Sequence, residues 1–105
     1  MASRRVVATE LGEEIQKLLL EAGESPLASQ VNELMIFDRC RCGDDFCSTF
    51  YTAPHPQGPW GPDHRTVALS PRAGILNIDL VGAKIVCVEV LYREEIKVKI
   101  HAAGP

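Results

Sequence analysis

The sequence predicts an α+β domain, with an N-terminal helix pair packed on a mainly antiparallel β-sheet. Two observations carry this. Up to residue 34 the apolar residues recur at spacings of three and four, as one face of a helix requires. From residue 36 they alternate with polar residues, or run in short blocks bounded by Gly and Pro, as strands do. The 105 residues suit a single domain over 1–105, with helices over about 5–34 and a sheet over about 36–100, interrupted by a Pro-rich loop at 53–64.

Val7, Leu11, Ile15, Leu18 and Ala22 form the first apolar stripe, which Leu19 widens. Glu10, Glu13, Glu14, Gln16 and Lys17 fill the opposite face, Thr9 or Ser3 caps the start, and Gly23 closes the helix in the left-handed conformation. Ser25-Pro26 predicts an N-cap followed by proline in the first helical position, and Leu27, Val31 and Leu34 extend a second, shorter stripe.

Ile36 to Cys42 and Phe46 to Thr52 are predicted to pair as strands around Gly43-Asp44-Asp45; a four-residue turn places Cys42 directly across from Cys47. Residues 53–64 hold four prolines and two glycines, and proline lacks the amide that a central strand uses, so this segment is a long loop. Thr66 to Leu69 is a candidate strand. Ile75–Leu80 and Lys84–Leu91 form the clearest hairpin, closed around Val81-Gly82-Ala83. Ile96, Val98 and Ile100 alternate with Lys97 and Lys99 as a last edge strand. The predicted core contains Leu11, Ile15, Leu18, Val31, Leu34, Ile78, Val86, Val88 and Val90.

Fourteen acidic residues against eleven basic ones give a net charge of -3, and the basic residues are scattered, which speaks against a nucleic-acid partner. Met1 to Glu10 has no apolar segment after its arginines, and no apolar run approaches the ~18 residues that span a bilayer, so neither a secretory signal nor a membrane partner is expected. The expected location is cytoplasmic, where thiols stay reduced.

Three of the four cysteines, Cys40, Cys42 and Cys47, fall within eight positions. Thiolates in such a cluster suit tetrahedral zinc, although the Cys-x-Cys-Gly-x3-Cys spacing differs from paired Cys-x2-4-Cys knuckles and shows no obvious fourth ligand. His55, His64, Asp44, Asp45 and Cys87 are all conceivable fourth ligands. A Cys42–Cys47 disulfide and plain half-buried thiols are the alternatives, and Cys87 reads as core. Glu89, placed by strand period on the face of Ile85, Cys87 and Leu91, is either a general acid with a raised pKa or a residue that faces solvent or pairs with an arginine. No Gly-x-Ser-x-Gly, Walker-type or Gly-x-Gly-x-x-Gly motif is present, and no catalytic residue is assigned.

The segment Arg39-Cys40-x-Cys42-Gly43, with Cys47 and Thr49 following, and the later run Gly82 to Tyr92 resemble small uncharacterised bacterial proteins with an Arg-Cys-x-Cys-Gly segment and a C-terminal Ile-Val-x-Val-Glu-Val-Leu hairpin. The resemblance implies a bacterial cytoplasmic protein and carries no activity with it. Some such relatives have a denser Cys-x-Cys-Gly-Cys cluster; here Asp44, Asp45 and Phe46 separate Gly43 from Cys47.

The expected function is that of a small non-enzymatic interaction protein. Its partner is another protein, engaged through the 53–64 loop by His55, Trp60 and His64, because tryptophan offers a large apolar area with a polar handle. The alternatives are a zinc-binding module using Cys40, Cys42 and Cys47, and a thiol-redox or cysteine-dependent enzyme.

Overall fold

The computed structural model describes residues 10–40, 42–54 and 60–96. Helix α1 spans Glu10–Glu21 and helix α2 Ser25–Gln30, continued by a 3-10 turn at Val31–Glu33. Strands β1 (Asp38–Arg39), β2 (Phe50–Tyr51), β3 (His64–Ala68), β4 (Ile75–Val81) and β5 (Lys84–Leu91) follow, and form one antiparallel sheet in the order β1-β2-β5-β4-β3. The α+β layout read from the sequence is the observed one; the predicted helical residues 5–9 lie outside the described residues.

Leu11, Ile15 and Leu19, spaced by four, are the buried row of α1. Leu18 flanks that row and is only half-buried, and Ala22 is exposed beyond the helix end, which corrects the predicted stripe. The helix closes where expected, with Gly23 at φ +79 and Glu24 N–H reaching back to the Leu19 carbonyl at 2.8 Å. The Glu24 carbonyl then accepts from both Leu27 and Ala28 N–H at 3.0 Å. One residue therefore ends α1 with its amide and opens α2 with its carbonyl, so the N-cap is Glu24 rather than Ser25.

The helices cover one face of the sheet. Leu11, Ile15, Leu19, Leu27 and Val31 share a core with Phe50, Leu76, Ile78, Leu80, Val88 and Val90. Gln30 fastens α2 to the β4–β5 hairpin: its amide nitrogen donates to the Ala83 carbonyl and its oxygen accepts from Ile85 N–H at 3.1 Å. That hairpin turns through Gly82 and Ala83, with Gly82 at φ +63, as a tight two-residue turn demands.

A β-bulge in β5 sets the two faces. Asp79 pairs with Cys87 but Leu80 pairs with Ile85, leaving Val86 as the extra residue. Ile85 consequently joins the helix-side core, while Val86 and Cys87 turn to the opposite face and bury against Ala53. Strict period two, which groups Ile85 with Cys87, Glu89 and Leu91, therefore fails at the bulge. Past β5, Tyr92 at φ 63 bends the chain out of the sheet, and Ile96 N–H donates to the Arg93 carbonyl at 3.0 Å. Residues 94–96 are helical and Ile96 is buried, so it does not open the predicted edge strand; residues 97–100 lie outside the described residues.

Candidate thiolate metal centre

The cysteine cluster sits where the short β1–β2 ladder runs out. The register that pairs Asp38 with Tyr51 and Arg39 with Phe50 continues through Cys40 N–H, which donates to the Thr49 carbonyl at 2.9 Å. Cys40 and Cys42 thereby approach the facing strand at Cys47. On the far side Cys47 is sutured to β5, because it bridges Leu91, Ser48 N–H bonds the Val90 carbonyl at 2.8 Å, and Tyr92 N–H bonds the Phe46 carbonyl at 2.7 Å. Gly43 at φ +83 and a Cys47 N–H bond to the Asp44 carbonyl shape the connecting turn.

The Sγ atoms of Cys40, Cys42 and Cys47 all lie within 4.8 Å of one another. Two sulfurs on one tetrahedral zinc, each bonded at about 2.3 Å, stand about 3.8 Å apart, so the cluster closes on an ion with small side-chain movements. The three thiols are free, and they differ in exposure: Cys42 is exposed while Cys40 and Cys47 are half-buried.

Their proton affinities also differ. Burial pushes the Cys40 thiol up to about 11, reinforced by the neighbouring Cys47. Burial works in the same direction on Cys47, but it is outweighed by hydrogen bonds from the hydroxyl and amide of Thr49 and from the Cys42 and Cys40 thiols, so this thiol lies below its ordinary value. Thr49 suits the task because its oxygen accepts from Val90 N–H at 3.1 Å, which orients its own hydrogen toward sulfur. Cys87, buried on the same sheet face beside Asp79 and Glu89, is held strongly protonated by desolvation first and by those carboxylates second.

Cys40 and Cys47 border a cleft of about 380 Å³ on the face opposite the helices. Phe46, Tyr51, Trp60, Asp44, Asp79 and Glu89 supply most of its remaining wall. Trp60, placed in the loop by the sequence, is half-buried against Tyr51 at a centroid distance of 6.3 Å and near His64 at 6.4 Å. His64 opens β3 rather than ending the loop, and its Nε2 bonds Asp79 at 2.9 Å. His55 lies outside the described residues. Glu89 accepts from the Asn77 amide at 2.6 Å rather than from an arginine. Phe46 stacks on Tyr92 at 5.1 Å, with both rings exposed.

Thr49 entered the sequence reading only as part of the bacterial resemblance, and neither Asp79 nor Tyr51 was assigned a role there. Tyr51 and Thr49 alternate with Cys47 along the chain, a signal that was present; Asp79 reaches the site only through the β4–β5 register. No helix of the described residues is long and apolar enough to cross a membrane. Set against models of known protein families, curated proteins and solved structures, the chain has no match.

Proposed function

We propose that this is a small non-enzymatic binding protein whose cysteine hairpin holds one thiophilic metal ion, zinc being the first candidate. The observation that carries the reading is the convergence of three sulfurs from two facing chain segments within 4.8 Å. Thiolates favour soft or borderline ions such as zinc and copper(I), and binding expels the three thiol protons. The lowered proton affinity of Cys47 lets it yield its proton before Cys40, and the ion's charge compensates the cost of ionising half-buried Cys40. Cys87 stays outside the ligand set, as a core thiol.

Metal analysis of protein purified without chelator tests this. About one zinc equivalent per chain is expected, falling severalfold in Cys40→Ser and Cys47→Ser but not in Cys87→Ser. Metal content near zero after growth with zinc supplementation, or content indifferent to both hairpin substitutions, overturns the reading.

A further inference from the structure

The cleft beside the three sulfurs has a chemistry of its own. Three aromatic rings, Phe46, Tyr51 and Trp60, and three carboxylates, Asp44, Asp79 and Glu89, contribute to its wall, and neither lysine nor arginine does among the described residues. The acidic groups Asp79 and Glu89 are held in place by Thr66 and His64 and by Asn77 respectively. Aromatic faces and fixed carboxylates both attract cations, most strongly where water is partly displaced. Two of the three thiols, Cys40 and Cys47, form part of the same wall. A metal with three protein ligands keeps a fourth position for water or for an incoming group.

From this juxtaposition we propose that the cleft admits a small thiol bearing a cationic ammonium group, whose sulfur completes the coordination of the metal while its cation rests against Trp60, Tyr51 and the two carboxylates. The inference rests on the metal-binding reading above. In the exchange the incoming thiol gives its proton to solvent, its sulfur forms the bond to the metal, and the displaced water leaves. No electron is transferred. The cleft volume suits a ligand of this size, and its negative wall discriminates against thiols that carry a carboxylate.

Cobalt(II)-loaded protein provides the test, because sulfur-to-cobalt charge-transfer and d–d bands report each ligand change. Thiocholine is the cationic probe, since its quaternary nitrogen cannot chelate, and 3-mercaptopropionate is the anionic comparison. Thiocholine is expected to shift the bands saturably and to bind at least tenfold more tightly than 3-mercaptopropionate. Trp60→Leu and the double substitution Asp79→Asn, Glu89→Gln should each shrink that preference while the cobalt bands of the three-sulfur site persist. Equal affinities for the two thiols overturn the proposal. So do bands that neither thiol alters, and if His55→Ala then changes them, the chain itself fills the fourth position. Absence of any sulfur-to-cobalt band is a separate outcome, which removes the metal-binding reading as well.

Discussion

Cys40 and Cys47 face each other across one small cluster, yet the fold moves their proton affinities in opposite directions. Desolvation dominates at Cys40, whereas at Cys47 the Thr49 hydroxyl and amide overcome it. Alkylation proceeds through the thiolate, so the order of reaction reads this difference directly. In metal-free, reduced protein at pH 8, Cys47 should be alkylated at least tenfold faster than Cys40 when sites are mapped by mass spectrometry. Raising the pH from 8 toward 11 should accelerate Cys40 far more than Cys47, because Cys40 titrates only near the top of that interval. Thr49→Val should slow the reaction at Cys47 by removing the donor, and it also leaves Val90 N–H without its acceptor, at a stability cost of about 1–3 kcal/mol. Equal rates at the two cysteines contradict this account. The sequence showed the cysteines and the threonine, but not which would be desolvated. That depends on β5 lying against β2, a contact between residues some forty positions apart.

Periodicity in α1 resolves an apolar stripe but not its centre, because Leu18 and Leu19 fit a broad apolar face equally well. Leu19 is fully buried and Leu18 only half-buried. Leu19→Ala should therefore cost about 3–4 kcal/mol in denaturant unfolding and Leu18→Ala roughly 1 kcal/mol. Equal costs would contradict the packing. The bulge in β5 was likewise invisible, since an extra residue breaks period two without changing composition. A third long-range feature joins α1 to the end of β5. Arg93 makes paired bonds of 2.9 and 2.8 Å to the Glu14 carboxylate, another to Glu95 at 2.7 Å, and one to the Ala73 carbonyl, and is itself largely buried. The Glu14 bonds, ahead of the opposing effect of burial, hold Arg93 firmly protonated. Arg93→Met should cost about 2–3 kcal/mol, because it leaves a half-buried Glu14 carboxylate without its partner, and Arg93→Lys should recover only part of it. Full stability in Arg93→Met would show that the pair is energetically idle. Gly74 belongs to the same joint. At φ +73 a Cβ there would stand 2.5 Å from the Leu91 carbonyl oxygen, so Gly74→Ala is expected to destabilise as well.

Across the whole molecule the helices and the candidate site lie on opposite faces of the same sheet, so one layer of strands supports both. The helix-side core was legible in β4, which buries Leu76, Ile78 and Leu80 at alternate positions, and less so in β5, where the bulge makes Ile85 to Val88 an unbroken buried run. The opposite face was legible only in part: the cysteine spacing pointed to the cluster, while the cleft is assembled from Cys40, residues of the 44–49 segment, β2, β4, β5 and Trp60. A metal bound there ties the exposed 42–46 turn to the sheet and stabilises the folded state by an amount that grows with the logarithm of its affinity. Chelator treatment should therefore lower the melting temperature by at least about 5 °C, a loss of roughly 1 kcal/mol for a domain of this size, and should leave Cys47→Ser unaffected. The most direct test of the central claim is X-ray absorption at the zinc edge of the purified protein. It is predicted to show three sulfur neighbours at about 2.3 Å in the wild type and two in Cys42→Ser. A shell made only of oxygen or nitrogen at about 2.0–2.1 Å, unchanged by that substitution, would contradict it.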